Sequence, residues 1–236
     1  MAGSLDGRIA YVTGSSRGIG AATAQALAAE GAHVLLSGRT ISDLEAVEDA
    51  IHQAGGTATI APFDLTEADA VSRLAGAVAE RWDRLDILVL NAAILPQLTP
   101  VAQIEGKAFN QALLTNLLAP QALLAAFDPL LRRSPAGRVI GLTSSVATSP
   151  RAYWGAYAAS KAALEVLLDT YAQEVERISG TRVAIVDPGA TRTKMRARAF
   201  PGEDPQGVKP PEAVAACIAA LLAADFPNRH RERVET

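Results

Sequence analysis

The sequence predicts an α/β fold, a doubly wound parallel sheet covered by helices on both faces. Three observations carry that prediction. Short β-rich runs alternate with longer runs of helical period, each strand candidate ends in a polar or glycine-containing turn, and the apolar composition is aliphatic, with 49% hydrophobic residues and 5% aromatics. At 236 residues the chain fits a single dinucleotide-binding catalytic domain spanning 1–236.

Strands are expected at 9–13, 33–37, 57–62, 86–91, 138–143 and 182–186, and helices at 19–30, 41–54, 67–82, 107–133, 155–178 and 211–224. Two βαβαβ halves result. Wound in the order 3-2-1-4-5-6, they open a crevice above the carboxyl ends of strands one and four. The apolar stretch 113–131 contains Asn116, Pro120, Gln121 and Asp128, which suits a buried helix better than a bilayer. The stretch 197–210, rich in Pro and Gly, is expected to be irregular, either a lid or a surface excursion, within a substrate loop at about 190–210.

Bulk properties exclude several functions. A net charge of −3 and an isoelectric point near 5.7 give no reason to expect nucleic acid or an anionic membrane. The lone Cys217 reads as a packed thiol, and no metal site is expected. The segment Met1-Ala2-Gly3-Ser4-Leu5-Asp6 does not read as a signal peptide, so a cytoplasmic location is expected.

The first strand runs into Thr13-Gly14-Ser15-Ser16-Arg17-Gly18-Ile19-Gly20 and then a helix. Gly14 can turn the chain tightly, Gly18 lets backbone approach a ligand, Gly20 lets helix and sheet pack closely, and helix N–H groups face a pyrophosphate. Gly14-x-Ser16-x-Gly18 also spells a hydrolase nucleophile elbow, but His33, His52 and His230 have no motif around them. A serine hydrolase using Ser16 is therefore a remote alternative.

Tyr157 and Lys161 lie four apart at the start of the fifth helix, on one face. A tyrosine with its ordinary pKa of about 10 exchanges protons poorly at neutral pH, and a nearby ammonium favours the phenolate. Ser144, Ser145 and Thr143 at the fifth strand's end compete to hold a substrate carbonyl oxygen. Pro120 has no N–H for the Asn116 carbonyl four residues earlier, so that carbonyl could hold a water serving as a proton relay to Lys161.

Together these residues resemble the short-chain dehydrogenase/reductase family, in its single-domain branch, over roughly 5–224. The resemblance matches Thr13-Gly14-x-x-x-Gly18-x-Gly20 to the cofactor turn and Asn116, Ser144, Tyr157 and Lys161 to the catalytic four. It favours Ser144 because that residue stands thirteen before Tyr157. It implies that Asp64 and Leu65 contact adenine, that Asn91, Ala92 and Ala93 line the adenosine side, and that Pro188, Gly189 and Thr193 meet the nicotinamide. Ala93 and Leu90 depart from the family's usual glycine and asparagine. The charged tail 228–236 departs from the family's usual seventh strand, which is then short or absent; the resemblance implies a homo-oligomer, and because family tetramers often use that edge, a dimer through helices 107–133 and 155–178 is expected over a tetramer.

Gly38 and Arg39 follow the second strand, where an NAD-selective enzyme would carry an acid. With Arg17 nearby, two guanidiniums suit a 2′-phosphate, so NADP(H) is expected over NAD(H). Arg192, Lys194, Arg196 and Arg198 place cations at alternate positions, which could hold an anionic substrate, although solvated charge is the commoner reason. The expected activity is carbonyl–alcohol interconversion on a small molecule, with Tyr157 as general acid/base. The alternative is an NADP-binding sensor or scaffold of the same fold.

Overall fold

The computed structural model describes residues 3–67, 69–224 and 226–235. Met1 and Ala2 of the N-terminal segment, Ala68 of the expected third helix and Thr236 of the tail lie outside them.

The chain runs β1 (Ile9–Val12), α1 (Gly18–Ala29), β2 (His33–Gly38), α2 (Ile41–Gln53), β3 (Thr57–Pro62), α3 (Ala70–Trp82) and β4 (Ile87–Leu90). It continues with α4 (Gly106–Leu113), a π-helical turn (Leu114–Leu118), α5 (Ala119–Arg133), β5 (Arg138–Leu142), α6 (Gly155–Val175) and β6 (Arg182–Asp187). It closes with α7 (Lys194–Ala199), α8 (Pro211–Ala223) and β7 (His230–Arg233). All pairings are parallel, in the order β3-β2-β1-β4-β5-β6-β7. This is the doubly wound Rossmann arrangement expected from the sequence, with its crevice between β1 and β4, where the strand order reverses.

The two-residue period of the strands divides the core between the faces. Ala10, Val12, Val34 and Leu36 pack with Leu27 of α1 and Val214 and Ile218 of α8. Tyr11, Leu35, Leu88 and Leu90 pack on the other face with Phe127 of α5 and Leu164 and Leu168 of α6. Gly141 in β5 is needed there, since a Cβ would overlap Leu168; its absence lets α6 seat close to the strand that carries Ser144.

One expectation changes and two are narrowed. The helix expected over 107–133 is broken by the π-helical turn, because Pro120 withholds the N–H that Asn116 would normally meet. The ladder slips to five-residue spacing, with Ala119 N–H bonded to Leu114 O. Of a seventh strand expected to be short or absent, the short alternative holds: His230–Arg233 pairs with Ala184–Asp187. It is short and alternates half-buried with exposed residues, so a charged tail can fill an edge position that shows no apolar run. Lastly, 197–210 is an ordered excursion. Its base is closed by a Thr191–Lys209 bridge, and it contains the end of α7 and a 3₁₀ turn at Pro205–Gly207.

The run Gly106–Arg133 has the length and hydropathy of a membrane span. In the fold, Leu123, Phe127, Leu130 and Leu131 face the core.

Candidate active site

Steric necessity fixes the glycine turn between β1 and α1. Gly14 (φ +63°) and Gly18 (φ +57°) adopt left-handed backbone, and a Cβ on Gly20 would overlap the Gly14 carbonyl oxygen. Asn91, just past β4, braces the turn: its Nδ2 donates to Thr13 O at 2.8 Å and Gly14 O at 3.2 Å. Thr13 Oγ1 in turn accepts the backbone N–H groups of Asn91 at 2.9 Å and Ala92 at 3.0 Å. Ser15 Oγ accepts Ser37 N–H at 2.9 Å, tying the turn to β2. Arg17 stands at the N-cap of α1 without a side-chain capping bond, leaving the first-turn N–H groups to a ligand. A cradle kept clear by three glycines at a helix N-terminus fits a pyrophosphate.

The neighbouring residues extend this cradle across the sheet. A Cβ on Gly38 would lie 3.3 Å from Ser16 Cβ, so the Ser16-Arg17 and Gly38-Arg39 segments run side by side. Arg39 is exposed, with Nη1 3.9 Å from Asp64 Oδ2. Asp64 also accepts the N–H and hydroxyl of Thr66, which fixes the turn after β3, and Leu65 packs against the core. At the far end of the crevice, Gly189 (φ +60°) donates its N–H to Asp187 Oδ1, and Thr193 caps α7 by accepting Arg196 N–H. A Cβ on Gly18 would sit 3.5 Å from Thr193 Cγ2, so the glycine turn and the loop after Pro188-Gly189 face each other across one crevice.

Ser144 lies two residues past the end of β5, and Tyr157 lies in the first turn of α6. Neither hydroxyl hydrogen-bonds to a described residue, whereas Thr143 Oγ1 donates to Glu165 Oε1 at 2.5 Å and is thereby committed. That removes Thr143 from the competition and leaves Ser144 and Ser145. Tyr157 packs with Leu95, Val146 and Ala158, and edge-to-face with Trp154 at 6.0 Å.

Lys161 is fully enclosed, at 2% exposure, with Nζ donating to Leu142 O at 2.7 Å and lying 5.9 Å from the Tyr157 ring centre. Burial pushes its ammonium down to about 8, against the opposing pull of Glu165. Burial, reinforced by the Asp187 charge, holds the Tyr157 phenol above its ordinary value. The Lys161 charge does not offset this rise. The ammonium is engaged by the Leu142 carbonyl, and desolvation of the phenol dominates.

Asn116 joins the site through its side chain. Oδ1 accepts Ile94 N–H at 2.8 Å, while Nδ2 donates to Ile94 O and to Ser160 Oγ, each at 3.0 Å. Ser160 Oγ donates to Tyr157 O at 2.8 Å. The π-helical turn therefore locks the loop after β4 to α6. Reasoning from Pro120 found the residue through its backbone but missed these side-chain bonds, which no local pattern encodes. Trp154, Asp187 and Glu165 were likewise missed.

No histidine reaches Ser16. His33 bonds Thr57 and Thr59 at the opposite end of the strands, and His52 ends α2 at that same end. His230 pairs with Glu232 on β7, four strand spacings or about 19 Å from β1. Of the cations after Gly189, Arg196 is paired with Glu203 and stacked on Phe200, and Arg198 donates to Leu95 O.

The family model for short chain dehydrogenases matches residues 8–204, and the chain belongs to that family. Among its relatives is the oxidoreductase YciK of Escherichia coli K12, 36% identical over 224 residues, covering 94% of this chain and 88% of that one. A short chain dehydrogenase structure from Pseudomonas syringae superimposes with a TM-score of 0.96 at 39% identity, covering 100% of this chain and 97% of the other. One from Shigella flexneri 2a, solved in complex with NADP, gives 0.94 at 34% identity with both chains fully covered.

Proposed function

We propose that this protein is an NADPH-dependent reductase of apolar aldehydes or ketones, working reversibly on the corresponding alcohols. The observation that carries the reading is the pair of uncommitted hydroxyls, Ser144 and Tyr157, beside a buried Lys161 in the crevice that the glycine turn opens onto.

Bound NADPH would supply the hydride. Gly14, Ser16, Gly18, Ile19 and Gly20 hold its pyrophosphate, and Arg17 and Arg39 its 2′-phosphate. Asp64 and Leu65 receive the adenine, Asn91 to Ala93 the adenosine side, and Pro188, Gly189 and Thr193 the nicotinamide. The relative solved with NADP supports this cofactor, as does the NADPH complex of an Escherichia coli CFT073 relative, 34% identical with a TM-score of 0.94.

Ser144 orients the carbonyl oxygen and Tyr157 donates its phenolic proton to it. Lys161 then returns a proton toward Tyr157, which its value of about 8 permits near neutrality. Asn116 and Ser160 fix Tyr157 through the backbone. The walls around Tyr157 are apolar: Leu95, Leu98, Val146, Trp154 and Met195. With Arg196 and Arg198 already engaged, the pocket favours a neutral, apolar substrate over an anionic one.

Leu114, Leu118 and Val166 are exposed on the long helices, which suits a dimer through them. Light scattering on the purified protein measures its mass in solution; a monomer would remove this part of the reading. The chemistry is tested by following NADPH consumption over a panel of apolar ketones, aldehydes and anionic keto acids. Apolar carbonyls should be turned over fastest. Tight NADPH binding without turnover of any of them would instead favour a sensor.

A further inference from the structure

The catalytic helix and the edge strand β7 are joined by a chain of charges that the mechanism above does not use. Glu165 lies one turn beyond Lys161 on α6 and is buried. Its carboxylate is divided. Oε1 accepts the Thr143 hydroxyl at 2.5 Å, and Oε2 accepts Arg231 Nη1 at 2.6 Å. Arg231, on β7, donates Nη2 to Asp169 Oδ2, also at 2.6 Å.

Thr143 sits between Leu142, whose carbonyl receives Lys161 Nζ, and Ser144. Glu165 therefore grips the strand end that carries one functional residue and stands one helical turn from the other. A buried carboxylate is costly unless hydrogen-bonded and paired, and Glu165 is both.

We propose that Glu165 is a positioning residue that keeps Lys161 protonated and Ser144 in place, with Arg231 of the C-terminal edge strand setting how much of Glu165's charge Lys161 feels. The proposal rests on the assignment of Lys161 and Ser144 to the reaction.

The surrounding charges define the expected signs. On α6, Lys161 is faced by Tyr157 and Glu165. From β5 come the neutral Leu142 carbonyl and Thr143 hydroxyl, and from the π-helical turn the neutral Asn116, through Ser160. Asp187, ending β6, acts on Tyr157 and is itself flanked by Lys209 and Arg233. From β7, Arg231 reaches Lys161 only through Glu165, and shares itself with Asp169. Glu165 pulls the Lys161 value up against burial.

The chain has four lysines, Lys107, Lys161, Lys194 and Lys209, so a ¹³C label at lysine Cε resolves few signals, and Lys161→Met assigns the one of interest. The titration is read by NMR on the cofactor-free protein. In wild type Lys161 should titrate near 8. Glu165→Gln should lower it by about one pH unit, as expected for losing a close opposite charge. Arg231→Met should raise it, by leaving Glu165 undivided.

Asp169→Asn, a change at a more accessible position, should also lower it, because Arg231 then pairs with Glu165 alone. This variant keeps the question answerable if Glu165→Gln fails to fold. General loosening of α6 would instead move every variant up toward an ordinary lysine. A Lys161 value unmoved in Arg231→Met and Asp169→Asn, or moving the same way in both, would overturn the proposal. The titration needs no turnover, so its failure leaves the reductase reading standing, and failure of that reading leaves the titration readable.

Discussion

The two ends of the crevice are built by different physics. At the β1–α1 end, geometry is dictated by short-range sterics: Gly14, Gly18 and Gly20 are there because a Cβ would strain the backbone or collide with it. At the β5–α6 end, geometry is dictated by bonds between residues distant in sequence, such as Asn116 to Ser160 and Arg231 to Glu165. The first kind of site breaks by adding an atom; the second breaks by removing a charge or a donor. Substitutions that separate these modes follow, from the largest expected effect to the smallest.

Lys161→Met removes a buried cation from the second end. The lysine's folded value of about 8 lies below its unfolded value of 10.5, so between these the folded state binds fewer protons than the unfolded one. Wild type should therefore gain stability as pH rises from about 8 to 10.5, by up to on the order of 3 kcal/mol, and the variant should lack that component. Denaturant titrations at pH 7 and pH 10 measure the difference.

Gly20→Ala attacks the first end. It should cost about 1–3 kcal/mol by overpacking against Gly14 O and weaken NADPH binding at least tenfold, while leaving the Lys161 titration near 8. Calorimetry and the lysine NMR signal separate the two effects. Arg39→Ala should raise the KM for NADPH about tenfold, the loss of one charge-assisted contact, with little change for NADH. Equal weakening of both cofactors would remove Arg39 from 2′-phosphate recognition. Cys217→Ala, at a half-buried position on α8, should leave NADPH binding unchanged and shift stability by less than about 1 kcal/mol in an equilibrium melt.

The same division explains what the sequence revealed. Strand and helix positions and the glycine turn were legible because each rests on local pattern: apolar runs, helical period and glycines where backbone must turn; the strand order followed from the usual winding of two βαβαβ halves. Ser144, Tyr157 and Lys161 were legible as a set through strand-end and one-turn spacing and through the family resemblance. The side-chain role of Asn116 was not, because its partners Ile94 and Ser160 are 22 and 44 residues away.

Glu165 and Arg231 carry no local signal in the sequence, since only the parallel placement of β7 beside β6 brings them together. The four-residue edge strand itself was obscured by its charges, which pair with Glu165, Asp169 and Asp187 once the strand is in place. The π-helical turn was half legible: Pro120 announced a broken bond, but not that the ladder would slip instead of ending.

The central claim, that Tyr157 delivers the proton in an NADPH-dependent reduction, is tested most directly by Tyr157→Phe on the best apolar carbonyl substrate, with NADPH binding measured in parallel. The account predicts kcat reduced by about a hundredfold or more and NADPH affinity unchanged. Turnover within about twofold of wild type would contradict it.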